Sequence, residues 1–249
     1  MAKQKFYVVW EGRKKGIFTD WDTTHKLVSG FPKSKFKSYP TRQEAEVAYS
    51  EGPATNLSKR KPSAKKGPSK SNFVFDKNYQ IHIFCDGGCD PNPGPSGSGV
   101  VVYEEEQMLA RYFGLFQLKG TNNTAELNAL HQSMILANKY LSKGLKVQIL
   151  ADSTYAIKAM TVWGADWQKR GWKRKTGELI NADLIQKMYD VYLEIKGQVD
   201  FQHVKAHAGT EGNELADRLS LLSMQTKEVA FKLYEGEMSK AEMLKMGNS

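Results

Sequence analysis

The chain has 249 residues, room for one large or two smaller domains. Its 40% hydrophobic and 25% charged residues exclude a disordered chain, its two cysteines exclude a disulfide framework, and no apolar run approaches the roughly 18 residues of a membrane span. The net charge of +9 lies wholly in the first third: residues 1–50 carry +5, residues 51–76 carry +4 and residues 77–249 are neutral, which points to nucleic acid as the partner of a small leading unit, with a solvated, solubility-promoting surface as the alternative. Cys85 and Cys89 have no second cysteine pair to complete a zinc site. The start, MAKQKFYVVWEGRKK, has no apolar core of a secretory signal, so a reducing, cytoplasmic location is expected.

In chain order, KFYVVWEG reads as a strand, and Gly12 with Gly16 marks a turn before GIFTDW. Asp20 or Asp22 starts a helix through Val28, FKSYP is a short strand, and Thr41 with Glu44 makes a capping box for a helix over Arg42–Tyr49. Residues 51–77, rich in Pro, Ser and Lys, are expected to be a flexible basic linker between a small unit at 1–50 and a larger one at 78–226. The larger unit opens with strands at Gln80–Asp86, Gly97–Tyr103 and Leu109–Phe116. A helix at Ala125–Leu141 repeats Leu127, Leu130, Met134 and Ala137 at helical spacing. A strand at Lys146–Asp152, a helix from Thr154 and a polar aromatic stretch to Lys175 follow. The pattern closes with a helix at Ala182–Lys196, a strand at Gln198–Val204 and a helix at Gly212–Met224. Three strands and then alternating helices and strands predict an α/β unit: a mixed five-stranded sheet flanked by helices, behind a small α+β domain. The tail, 227–249, is expected to be an amphipathic helix with a frayed end.

Four acids carry the chemistry. Asp86 and Asp152 end apolar strands, which in a parallel pair would deliver both to one end of the sheet. Glu126 in GTNNTAELNAL and Asp217 in GNELADRLS begin helices that could reach the same place. Four converging carboxylates repel one another, and hard divalent cations such as Mg²⁺ or Mn²⁺ relieve that repulsion. Two such ions about 4 Å apart can activate water and stabilise the leaving oxygen of a phosphodiester. Each acid alone also reads as structural: Asp86 and Asp152 as loop caps, Glu126 as the third residue after an Asn123 cap, Asp217 as a surface helical acid.

The strings DGGCDPNPG, TNNTAEL, ADS, WQKRGWK and VKAHAGTEGNELAD resemble, in order and spacing, the motifs of type 1 ribonuclease H over about 79–224. That resemblance implies the ribonuclease H fold and an endonuclease that hydrolyses the RNA strand of RNA–DNA hybrids, leaving 3′-hydroxyl and 5′-phosphate ends. It carries the metal-binding set onto Asp86, Glu126, Asp152 and Asp217, with two Mg²⁺ ions that Mn²⁺ can replace. It carries the catalytic-loop histidine onto His207. Thr121, Asn122 and Asn123 match the polar turn that touches the hybrid, and Thr121 and Asn181 match DNA-phosphate contacts. Asn92 and Asn122 are candidates for reading 2′-hydroxyls. Trp163, Lys169, Arg170 and Lys173 resemble the basic protrusion that holds the DNA strand, while Trp167 and Trp172 are expected to pack.

The stretch from KFYVVWEGRKKGIF to KFKSYPTRQEAEVAY resembles the hybrid-binding, viroplasmin-like domain. Its contacts carry onto Tyr7, Trp21, Phe36 and Lys37, with a small hydrophobic core as the alternative role for Tyr7 and Phe36. Expected partners are the hybrid duplex and, for the first unit, double-stranded RNA. The chain is expected to be a monomer with no membrane association. Two rival readings stand: a binding module on a dead nuclease fold, and another nuclease on a related fold.

Overall fold

The computed structural model describes residues 5–57 and 73–247. The chain divides into two compact units, Met1–Gly67 and Pro68–Ser249.

In the first unit, β1 (Phe6–Glu11), β2 (Gly16–Phe18) and β3 (Lys35–Tyr39) form an antiparallel sheet in the order β2-β1-β3. Asp20, rather than Asp22, caps α1 (Trp21–Val28): its Oδ1 accepts from the Thr23 N–H at 2.7 Å. The Thr41 hydroxyl accepts from the Glu44 N–H at 3.2 Å and starts α2 (Arg42–Leu57). Strand alternation turns Val8 and Trp10 to one face, where Ala45 and Ala48 of α2 close the core. The expected linker is shorter at both ends. Helical structure continues to Leu57 past a kink at Gly52, whose φ is +81°, because Pro53 suits the first turn of a new helical piece. At the other end, Phe73 and Phe75 pack on Phe84, with centroids at 5.4 and 6.1 Å. Residues 58–72 lie outside the described residues.

The second unit holds a six-stranded mixed sheet. Its strands are β4 (Ile81–Cys89), β5 (Gly94–Glu104), β6 (Gln107–Gly120), β7 (Val147–Ala151), β8 (Val199–His203) and β9 (Lys232–Leu233), in the order β8-β7-β4-β5-β6-β9. β4, β7 and β8 run parallel, and the other pairs are antiparallel. Along β4, Ile81, Ile83 and Cys85 face a core made with α3 (Asn122–Leu141) and α6 (Ala182–Ile195). Phe84 faces the opposite core, made with α7 (Glu211–Thr226). The periodic residues Leu127, Leu130, Met134 and Ala137 of α3 and Ile185, Met188 and Ile195 of α6 are all buried, as their spacing predicts. Between β7 and α6 lie α4 (Thr154–Lys158), a π turn at Ala159–Trp163 and α5 (Gly164–Lys169).

The tail departs from expectation. Lys227, with φ of +53°, ends α7, and the chain then runs extended into β9 on the edge of β6. Its apolar residues do not follow helical spacing. Instead Phe231 stacks on Tyr112 at 5.5 Å and Tyr234 packs edge-on against Phe113 at 5.9 Å. A short helix, α8 (Lys240–Leu244), follows behind a Ser239–Glu242 capping box and buries Met243 completely.

Candidate active site

Sheet register joins the first two acids. Cys85 of β4 pairs with Ala151 of β7 in parallel, so Asp86 and Asp152 follow side by side. Asp86 does not end its strand, as the sequence had implied; β4 continues to Cys89, and Asp86 sits opposite Gly99 of β5. Two glycines let helices approach here. A Cβ on Gly87 would lie 2.1 Å from the carbonyl carbon of Ala125, so only glycine admits the start of α3 and its Glu126. A Cβ on Gly99 would lie 2.1 Å from the Ala216 carbonyl oxygen, so α7 settles against β5 with Asp217 beside Asp86.

The acids feel one another's charge. Burial pushes Asp86 well above the usual carboxylate range. The charges of Asp152, Asp217 and Glu126 push the same way, against one hydrogen bond from the Gly87 N–H at 2.7 Å. Glu126 is raised by burial and by Asp152, against hydrogen bonds from Ser153 and Asn122. Asp217 is raised by burial, with Arg218 and His207 opposing and Glu214 and Asp152 adding to the rise. Burial also lifts the Cys85 thiol to about 12, which removes it as a nucleophile near neutral pH.

Each acid is held by a neighbour. The Asn122 amide donates to Glu126 Oε1 at 2.7 Å and the Ser153 hydroxyl to Oε2 at 2.5 Å. Asn213 Nδ2 donates to Asp152 Oδ2 at 3.2 Å, and Arg218 Nη1 lies 2.6 Å from Asp217 Oδ2. The structural readings of Glu126 and Asp217 therefore fail. Thr121, not Asn123, caps α3, and the Asp217 side chain is only 15% exposed. His207 stands in an exposed loop with φ of +48°. Among the described residues, His207, Glu214 and Asp217 form the group whose potential ligand atoms all lie within 4.8 Å of one another. His203 Nε2 lies 3.1 Å from the Asp152 carbonyl oxygen.

Beside the acids, a cavity of about 730 Å³ gathers Asn92, Thr121, Asn123, Trp163, Arg170 and Asn181. Asn92 Oδ1 accepts from the Asn122 N–H at 3.2 Å, and Thr124 Oγ1 donates to Asn181 Oδ1 at 3.2 Å. Lys169 and Lys173 do not line this cavity, and Arg170 pairs with Asp166. Asn122 is turned to Glu126 rather than into the cavity. In the first unit Trp21 packs against Tyr7 at 5.5 Å and Phe36 at 6.0 Å while remaining 44% exposed. Tyr7 and Phe36 thus belong to a surface cluster, apart from the core of Val8, Trp10, Ala45 and Ala48. Lys37 is not in that cluster. Alternation along β3 turns it to the face opposite Phe36, with its ammonium 5.7 Å from the Tyr39 ring centre.

The RNase H family model matches residues 78–224. The chain belongs to the ribonuclease H family. A second model, described as the Ribonuclease H1 N-terminal domain, matches residues 5–49 of this ribonuclease H-family chain. Among curated relatives, a ribonuclease H of Methylorubrum extorquens is 39% identical over 140 residues, which are 56% of this chain and 58% of that protein. One of Methylococcus capsulatus is 38% identical over 141 residues, 56% of this chain and 86% of that protein. Two solved structures share the fold. One is the foamy viral protease-reverse transcriptase in complex with dsDNA, with TM-score 0.53, 22% identity, and coverage of 62% of this chain and 99% of that one. The other is LC9-RNase H1, described as a type 1 RNase H with the type 2 active-site motif, with TM-score 0.52, 24% identity, and coverage of 70% and 84%.

The donor set of this chain fits a hard divalent cation. The half-buried donors are carboxylate oxygens whose mutual repulsion positive charge relieves, as Arg218 and His207 do in part for Asp217. Sequence reasoning missed Ser153, Asn213 and Glu214. All three stood inside the motifs ADS and GNELAD, but a hydrogen bond between residues 27 or 61 positions apart leaves no local pattern.

Proposed function

We propose that the chain is an endonuclease that hydrolyses the RNA strand of RNA–DNA hybrids, leaving 3′-hydroxyl and 5′-phosphate ends. The observation that carries this reading is the gathering of Asp86, Asp152, Asp217 and Glu126, each of the last three adding to the charge felt by the first. These four acids are the metal ligands of the proposal, for two Mg²⁺ ions or Mn²⁺ in their place. Cations held there would supply activation of the attacking water and positive charge for the phosphodiester in its transition state.

The chain's own residues do the rest. Ser153 and Asn122 fix the orientation of Glu126, and Asn213 fixes that of Asp152. His207, next to Asp217 and Glu214, would move a proton at its imidazole or ease product release. Asn92, Thr121, Asn123, Trp163, Arg170 and Asn181 receive the nucleic acid along the cavity, and Lys169 and Lys173 add cationic attraction from outside it. Asn122, between Thr121 and Asn123, adjoins this path while its amide holds Glu126.

In this reading residues 1–50 form a hybrid-binding domain, with Trp21, Tyr7 and Phe36 as a stacking platform; Lys37, expected as a phosphate contact, lies on the other face of β3 and outside that platform. Residues 78–226 form the catalytic domain. The segment between keeps the second domain near a duplex gripped by the first. A monomeric, cytoplasmic enzyme is the expected form. The test is a panel of labelled hybrid, double-stranded RNA and double-stranded DNA, each with Mg²⁺ and with chelator. Cleavage confined to the RNA of the hybrid and abolished by chelator supports the proposal. Binding without cutting would support the dead-nuclease reading, and cutting of duplex DNA the third.

A further inference from the structure

Residues 227–247 lie beyond the family match, yet they grip the helix that carries Asp217. The Arg111 guanidinium sits 4.6 Å from the Tyr234 ring centre and donates to the Met238 carbonyl at 2.8 Å, which fixes the tail's course. Met243 enters the same core as Leu215, Leu219 and Leu222 of α7. The capping box that starts α8 then places Lys240 Nζ 3.0 Å from Glu211 Oε1. The same oxygen accepts from the hydroxyl of Tyr103 at 2.9 Å, and Tyr103 is only 1% exposed.

Glu211 is the first residue of α7. The loop before it carries two left-handed residues, His207 at φ +48° and Gly209 at φ +80°. A loop so shaped keeps its form only if its far end is anchored. The Lys240 pair is half exposed and by itself holds weakly. The bond from a buried phenol to a carboxylate is charge-assisted and holds better.

We propose that Glu211 is a positioning residue, clamped by Tyr103 and by Lys240 of the tail, that fixes the start of α7 and so the places of His207, Asn213 and Asp217. The reaction it serves is the one proposed above, and the inference rests on that reading for its catalytic half. The tail is thus a working part of the catalytic unit.

The experiment compares the full chain with Tyr103→Phe, Lys240→Met, Lys240→Arg and the Tyr103→Phe/Lys240→Met double variant. Amide hydrogen exchange is read without metal, and kcat and KM on a short hybrid with Mg²⁺. In the double variant, exchange at residues 209–214 should quicken and kcat fall, each by about tenfold, the effect of losing one hydrogen bond to a charged group. KM and exchange in β4 and β7 should stay as in the parent, and Lys240→Arg should match the parent throughout. Unchanged exchange at 209–214 would overturn the clamp. So would quickening spread evenly over the unit, which marks simple destabilisation, or faster loop exchange with an unaltered kcat. No cleavage by the parent chain would instead sink the proposed reaction, while the exchange data would still decide the clamp.

Discussion

Buried beside three other acids, Asp86 is harder to ionise in the folded chain than in the unfolded one, and Glu126 and Asp217 share its direction. Between the ordinary carboxylate range and these raised values the folded chain holds protons that the unfolded chain has released. The three acids therefore cost the metal-free protein stability as pH rises through that window, and the cost is fully present above it. Thermal melts without metal should show Asp86→Asn melting above the parent at pH 7.5 and the gap closing toward pH 4. A variant that melts lower at both pH values would show that the carboxylate is stabilising. Ser153 offers a second test, since its hydroxyl orients Glu126. Ser153→Ala should raise the Mg²⁺ concentration for half-maximal cleavage by about 10–100-fold, the usual cost of losing a group that orients a ligand. An unaltered Mg²⁺ titration would remove Ser153 from that role.

The helices and strands were legible where one residue type repeats along one element. The α3 and α6 periodicities, the Asp20 cap and the Thr41 cap all rest on neighbours a few residues apart. What stayed hidden depends on distant partners. The continuation of β4 to Cys89 rests on pairing with Ser96 of β5, and β9 exists because Gly114 leaves room for the Ala230 carbonyl. The four acids were readable as types in motifs, but the reason Glu126 and Asp217 join the other two lies in two glycines whose importance is set by a helix on the far side of the contact. Gly87→Ala should drive α3 off β4 and cost about 1–3 kcal/mol through overpacking. Urea unfolding would read the loss, and cleavage should fall further than stability because Glu126 moves with the helix. Full activity in that variant would show that the close approach is not needed.

For the molecule as a whole, charge and chemistry occupy different parts of the sequence: the excess of Lys and Arg precedes residue 77, while the acids that meet follow it. Binding and cutting should therefore separate. Trp21→Ala removes the centre of the exposed aromatic cluster and should weaken affinity for long hybrid by about 1–3 kcal/mol, the worth of a stacked base, as fluorescence anisotropy would show. Turnover on a short, saturating hybrid should be unaltered, and its loss would mean that the first unit takes part in the chemistry. Affinity of the parent should fall with salt by a log–log slope of about −0.9 per phosphate neutralised on a B-form duplex.

The most direct measurement takes a hybrid labelled on its RNA strand and compares the parent chain with Asp152→Asn in Mg²⁺. Asp152 lies beside Asp86 at the centre of the acids, so the variant should bind the hybrid as tightly as the parent and leave the RNA uncut. Cleavage by Asp152→Asn at the parent's rate would contradict the account.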